Sequence, residues 1–374
     1  MEIDAAVINE EGGAFEVETL EIDDPRPNEV LVRVAGVGVC HTDLTVRDQN
    51  YPAPLPIVLG HEGSGVVEDV GENVTGVEPG DRVVMSFDYD DDCRNCNDGH
   101  PAYCEDFFAY NFGGVRPEDG TTPLSRDGEA VHGRFFGQSS FGTYAIATER
   151  NVVPVNEYED VPLELLGPLG CGIQTGAGAV INVLDPEAGS SIAVFGAGSV
   201  GLSAVMAANV EGCTDIIAVD LKDSRREKAL ELGATAAIDP NNVDDVVETI
   251  REQTDGGVQY ALETTGVPDV AEQAVDVLTQ RGTTGIVGAP PLGSEASYDI
   301  NDLLINGREI VGIVEGDAQP TQFIPTLIDL YQQGEFPFDE LVTYYDFADI
   351  EQAVADSEAG ETIKPILRMD HDEA

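Results

Sequence analysis

Residues 191–220 read SIAVFGAGSVGLSAVMAANVEGCTDIIAVD, and few segments constrain a fold more tightly. An apolar run meets Gly196-Ala197-Gly198-Ser199-Val200-Gly201, a helical stretch follows, and a second apolar run ends on Asp220. The first glycine permits a tight strand-to-helix turn, the second lets backbone approach a pyrophosphate, and the third lets helix and strand pack closely. The helix that opens at Ser199 and Val200 then directs its N-terminus at the phosphates. Asp220, 19 residues after Gly201, stands where a carboxylate accepts the adenosine ribose hydroxyls. It would repel a 2′-phosphate, which favours NAD over NADP, although Arg225 and Arg226 on the next helix leave room for some NADP use.

The alternation continues through SRREKALELG, AAID, VDDVVETIREQ, VQYALETTG, PDVAEQAVDVLTQ and RGTTGIVGAP, which predicts a doubly wound parallel sheet. The first 150 residues differ. Short β-branched runs such as EVLVRVAGVGV, GSGVVEDVG and GDRVVMSF are broken by Gly and Pro and read as an all-β barrel or sandwich. Asn111 to His132 reads as a loop-like insertion. The fold class is therefore α/β and β. A length of 374 residues suits two domains.

Charge excludes some functions. With 71 acidic and 18 basic residues the net charge is −53, a surface that repels nucleic acid and anionic lipid. The 42% hydrophobic content is too high for an acidic disordered chain. Only Lys222, Lys228 and Lys364 are lysines. Abundant carboxylates with few lysine stems fit a halophilic protein, for which multimolar salt screens the self-repulsion. An acidic N-terminus and the lack of a long apolar run place the expectation in the cytoplasm, with no membrane partner.

Six cysteines in such a chain point to metal or catalysis rather than disulfides. Taken singly, Cys40 reads equally as a buried thiol and His61 as a core histidine. Their contexts, GVCHTD, GHEGSG and, further on, LGCG around Cys171, argue for a metal. Two thiolates and one imidazole suit zinc with a fourth position left open. A second neighbourhood holds Cys93, Cys96 and Cys104, while Cys213 sits in a glycine-bounded turn and reads as structural.

The motifs GVCHTD, GHEGSGVVEDVG, GDRVV, LGCG, FGAGSVG and VD, in this order and spacing, resemble the zinc-dependent alcohol dehydrogenases of the medium-chain dehydrogenase/reductase superfamily. Within that family the chain looks most like the aryl-alcohol (benzyl alcohol) dehydrogenases. The resemblance implies a GroES-like barrel carrying the zinc sites over 1–170 and 313–374, and a Rossmann NAD-binding domain over 171–312. It implies a catalytic zinc on Cys40, His61 and Cys171, with Glu62 as an occasional ligand and Asp43 behind the distal nitrogen of His61. It implies that Thr42 takes the alcohol proton and passes it to the nicotinamide ribose. The family's usual histidine three residues later is here Thr45, so the end of the relay stays open. His41 and Lys364 are implied near the pyrophosphate, and Val287 and Ala289 near the carboxamide. The family's structural zinc lobe reads Cys-x2-Cys-x2-Cys-x7-Cys. Counting back from Cys104 through Cys96 and Cys93 puts Asp90 first, and His100 is the other candidate for a fourth ligand. The expected reaction is oxidation of a primary, aromatic alcohol to its aldehyde with NAD, by a homo-oligomer (dimer or tetramer). Tyr51, Phe87, Phe135 and Phe136 favour a flat apolar substrate or are plain core. A glutathione-dependent formaldehyde dehydrogenase or a sugar dehydrogenase of the same superfamily, and a catalytically silent NAD-binding protein, are the competing readings.

Overall fold

Residues 1–371 are described by a computed structural model of the chain, which divides into two compact units. One comprises Met1–Gly172, Gln319–Ile328 and the stretch from Asp339 onward; the other comprises Ile173–Ala318 and Asp329–Phe338. Among the described residues, no helix is long and apolar enough to cross a membrane.

The second unit carries a six-stranded sheet in which every pairing is parallel. Its spatial order is Ala236–Ile238, Asp215–Val219, Ser191–Phe195, Val258–Glu263, Leu278–Ile286 and Glu309–Gly312. Numbered along the chain this is 3-2-1-4-5-6, the dinucleotide-binding order, whose switch point lies beside the first strand. Ser191–Phe195 and Asp215–Val219 are apolar on both faces because helices cover both sides of the sheet. Ala193, Phe195, Ile217, Val219, Ala261 and Leu278 share one core. The helix Ser199–Val210 is buried almost all round, from Gly201 to Ala208.

The first unit is built on Glu29–Gly38, the longest strand of its sheet. It pairs antiparallel with Gly63–Val70, Tyr144–Thr148 and Lys364–Arg368. A second antiparallel sheet contains Glu2–Ile8 and Glu16–Ile22. The register sets Val37 opposite Gly63 and Gly38 opposite Ile366. Three strand ends therefore meet; Cys40, His61 and Glu62 lie just outside two of them, and Lys364 is the first residue of the third.

Asn111–His132 is a loop, as its composition suggested, only from Gly113 to Pro123. Phe107–Phe112 is helical, and Leu124–Arg126 pairs with Glu129–Val131. The turn between those strands is Asp127-Gly128, both at positive φ (53° and 82°), the conformation a two-residue hairpin turn demands.

Inside the barrel unit Arg116 is 2% exposed and donates to both Glu29 oxygens, at 2.6 and 3.0 Å. Burial alone would raise the Glu29 pKa. Arg116 and the Arg26 N–H outweigh it and hold the carboxyl below its usual value. Arg116→Met strands a buried carboxylate, and should cost about 3–5 kcal/mol in urea unfolding at neutral pH. A carboxyl depressed by folding contributes stability above its unfolded pKa, and that stability is lost as pH falls. The penalty of the variant should therefore shrink below about pH 4, where Glu29 is protonated in the unfolded chain as well.

Candidate active site

The loop after Glu29–Gly38 delivers Cys40, which occupies the N-cap position of the helix His41–Arg47. Asp43 in the first turn of that helix is fully buried. Its Oδ2 accepts from the Cys40 N–H at 3.0 Å, and its Oδ1 accepts from the Gly60 N–H at 3.0 Å and lies 2.9 Å from His61 Nδ1. One carboxylate thus joins the two ligand-bearing segments and fixes the histidine ring. His61 Nε2 is buried without a hydrogen-bond partner. The ligand atoms of Cys40, His61, Glu62 and Cys171 all fall within 4.8 Å of one another. Leaving a buried ring nitrogen unpaired costs free energy, so an orphan among two thiols fits a metal ion, and its N/S donor set suits zinc.

The electrostatics of the Cys40 thiol fit the same reading. The neighbouring Cys171 thiol, then His61 and Lys364, hold the Cys40 thiol well below its ordinary pKa, against the opposing effect of burial. Burial would lower the His61 pKa, but the Asp43 carboxylate reverses this and raises it. Burial pushes the Glu62 carboxyl up.

Lys364, which the resemblance implied near the pyrophosphate, is committed to Glu62. It is 1% exposed, with Nζ at 2.8 and 2.9 Å from the two Glu62 oxygens and 3.3 Å from Val39 O. A fully buried carboxylate needs a counter-charge, and this ammonium supplies it. The Gly172 N–H also donates to Glu62 Oε1 at 3.0 Å. Thr42 is half-buried, with Oγ1 at 3.6 Å from Cys40 Sγ. Thr45 turns its hydroxyl back onto His41 O at 3.1 Å, and His41 is exposed.

Aromatic rings wall this cluster. Phe136 lies 4.5 Å from the His61 ring and Phe135 5.3 Å away edge-on. Phe112 continues the wall at 5.3 Å from Phe136. Phe108 and Phe112 also line an open cavity of about 490 Å³ with Pro52, Ala53 and Pro54. Tyr51 packs on Phe108 and Phe112, and Phe87 is plain core beneath Phe107.

The second cluster brings together Asp90, Cys93, Cys96 and Cys104, again within 4.8 Å of one another, and His100 is not part of it. Asp90 Oδ1 accepts from the Asp92 and Cys93 N–H groups at 2.8 and 2.9 Å. Burial would raise the Asp90 pKa, but these N–H groups and the nearby thiols hold it at about 2. The Cys93 and Cys96 sulfurs are 3.4 Å apart. Cys213 lies apart, its thiol pushed up to about 11 by burial.

In the parallel-sheet unit Gly196 has φ +95°, the turn a side chain resists. A Cβ on Gly201 would collide with the Gly196 carbonyl oxygen, whereas one on Gly198 would meet open space. That space at a helix N-terminus is the cradle a pyrophosphate fills. Asp220 accepts from the Ala197 N–H at 2.7 Å and the Lys222 N–H at 2.9 Å, so its carboxylate is braced beside the loop. Arg225 stands 3.9 Å from it. Arg226 is committed elsewhere, to Asp220 O, Asp223 and Asp239. Val287 donates its N–H to Glu263 O at 2.9 Å, and Ala289 is exposed two residues on.

Together these features define a dehydrogenase with a zinc-type ligand set in one unit and a dinucleotide fold in the other. Family models agree: the alcohol dehydrogenase GroES-like domain matches residues 26–157, and the zinc-binding dehydrogenase model matches 199–333. A geraniol dehydrogenase from Castellaniella defragrans is 50% identical over 363 residues, 97% of this chain and 96% of that protein. Among solved structures, an alcohol dehydrogenase zinc-binding domain protein from Burkholderia ambifaria is 57% identical, with TM-score 0.96 over 99% of this chain and 100% of that one. The benzyl alcohol dehydrogenase from Acinetobacter calcoaceticus is 53% identical, with TM-score 0.95 over 99% of this chain and 100% of that one. The chain belongs to the zinc-dependent alcohol dehydrogenases of the medium-chain superfamily. It is an alcohol oxidoreductase that uses zinc and a nicotinamide dinucleotide.

The two glycines should separate on mutation. Gly198→Ala should leave the melting temperature unchanged and weaken NADH binding, measured by fluorescence titration. Gly201→Ala should instead destabilise the fold by about 1–3 kcal/mol, because no room exists for the methyl group.

Proposed function

We propose that this enzyme oxidises primary alcohols whose carbinol carbon adjoins a π system, aryl alcohols foremost, to their aldehydes with NAD as acceptor. The observation that carries the site assignment is the buried, partnerless His61 Nε2 among the Cys40 and Cys171 thiols. The substrate class rests on the aromatic wall at His61 and on the relatives named for benzyl alcohol and for geraniol, one benzylic and the other allylic.

Cys40, His61 and Cys171 would hold a zinc ion, which would supply a Lewis acid to lower the hydroxyl pKa of the alcohol towards neutrality. Asp43 holds His61 as the tautomer with the proton on Nδ1, which leaves Nε2 as the donor atom. Lys364 keeps Glu62 compensated behind the ligand set, and Phe135 and Phe136 keep water from the ring. Thr42 Oγ1, beside Cys40 Sγ, is the group that accepts the alcohol proton. Thr45 does not extend that relay, because its hydroxyl is turned onto His41 O. Asp220 receives the adenosine ribose hydroxyls and disfavours a 2′-phosphate, while Arg225 beside it moderates that preference.

In this reading the barrel unit is the catalytic domain and the parallel-sheet unit the NAD-binding domain. Asp90, Cys93, Cys96 and Cys104 hold a structural zinc. The −53 charge reflects a cytoplasm rich in salt, and the working form is a homo-oligomer, which light scattering in multimolar salt would test.

A panel of benzyl, allylic, short aliphatic and sugar alcohols, together with the glutathione adduct of formaldehyde, tests the substrate class. Benzylic and allylic alcohols should give the highest kcat/KM with NAD, and activity should rise from dilute to multimolar salt. A preference for the adduct or for sugars would overturn the substrate reading, and full stability in dilute buffer would overturn the salt reading. His61→Ala should abolish turnover while NADH still binds; turnover near that of the wild type would remove the zinc assignment.

Thr42→Ala should lower kcat by about 10²–10⁴-fold with zinc content unchanged. A loss of less than a few-fold would show that the proton leaves by another route.

A further inference from the structure

The stretch FFGQSSF contains one long polar side chain among rings and small residues, and the structure buries it. Gln138 is 1% exposed, and its amide is fully engaged with backbone. Oε1 accepts from the Gly63 N–H at 3.1 Å, while Nε2 donates to His61 O at 3.0 Å and to Ser86 O at 3.1 Å. Ser86 in turn donates its hydroxyl to Gly170 O at 2.7 Å. Gly170 immediately precedes Cys171. A continuous polar path therefore runs from His61 through Gln138 and Ser86 to the peptide that carries Cys171.

The loop holding Gln138 is itself over-determined. Phe136, Gly137 and Ser139 all have positive φ, at 50°, 66° and 50°. For phenylalanine and serine this is a costly conformation, and such strain persists only where the surroundings enforce it. Here Ser139 donates its hydroxyl to Val58 O at 2.6 Å, Phe141 its N–H to Leu59 O at 3.0 Å, and Ser140 its N–H to Gly60 O at 2.9 Å. The strained loop is thus stitched along the whole approach to His61.

Two carboxamide or carboxylate bridges then account for three ligands. Asp43 couples Cys40 to His61, and Gln138 couples His61 to the Cys171 segment. We propose that Gln138 is a positioning residue of the zinc centre, which through Ser86 sets the placement of Cys171 Sγ relative to His61 Nε2. It touches neither substrate nor cofactor and acts only through the peptides it joins. The inference rests on reading Cys40, His61 and Cys171 as the catalytic zinc site.

Gln138→Met keeps the length and loses all three hydrogen bonds. The test exchanges zinc for cadmium-113 in the full-length protein and records its NMR spectrum, in which the Cys40–His61–Cys171 site and the Asp90–Cys104 lobe give separate resonances. In the variant the first resonance should move and the lobe resonance should stay. Outer partners of metal ligands typically cost 10–100-fold when lost. Zinc transfer to a chromophoric chelator should accordingly quicken, and kcat should fall, each by about 10–100-fold, with KM for the alcohol changing far less. Gln138→Glu keeps the acceptor for the Gly63 N–H but loses both donations when ionised, and should shift the same resonance. A wild-type protein without the first resonance would overturn the zinc assignment itself. A folded variant with that resonance unmoved and kcat unchanged would overturn only the role of Gln138. Failure of both variants to fold would assign the amide to barrel stability and overturn the proposal as well.

Discussion

The pairing of Glu29–Gly38 with Gly63–Val70 and Lys364–Arg368 is the constraint on which the ligand set depends. A strand pairing has a period of two, so a one-residue slip would turn every inward side chain outward. The same slip would carry Cys40, His61 and Lys364 out of step with one another. Val30, Val32, Val34 and Val37 are all fully buried and hold the register against that slip. Buried packing on a valine strand is thus what aligns thiol, imidazole and ammonium at one end of the sheet.

Charge is handled in opposite ways at the surface and inside. The acids that make the net charge −53 are mostly exposed, where water and counter-ions solvate them. Inside, carboxylates meet cations at close range: Glu62 with Lys364, Glu29 with Arg116, and Asp88 with Arg134 and Arg150. A chain with only 18 basic residues has placed several of them where no solvent can do the work. Asp43, buried like these, faces the His61 ring and two backbone N–H groups instead of a lysine or arginine. The site's one histidine is thereby oriented without a further cation.

The aromatic residues show why residue type alone left their role open. Tyr51, Phe87, Phe135 and Phe136 read in sequence either as core or as a substrate surface, and all four pack in or against one core while differing in what they adjoin. Phe87 is core, Phe135 and Phe136 pack on His61, and Tyr51 stands by the open cavity with Phe108 and Phe112. Phe108 and Phe112 lay within or beside a segment whose glycines, prolines and charges resembled a loop. The Asp127-Gly128 pair in that segment was a hairpin signal of the usual kind, and the surrounding composition masked it.

What could be read from the chain alone was whatever neighbours in sequence decide. The glycine loop, its helix and Asp220 form within 25 residues, because turn geometry, helix polarity and strand length are local properties. The family motifs also brought the candidate metal-binding residues, including Asp90 in place of a cysteine, into view one by one. Tertiary structure alone decided how those pieces meet. Lys364 pairs with a glutamate 302 residues away, and Gln138 bridges His61 and Ser86 across 77 and 52 residues. A buried polar atom takes whichever partner the packing brings within hydrogen-bond reach, since an unpaired one is costly. That partner is set by strand register and loop closure, and no periodicity or spacing along the sequence encodes it.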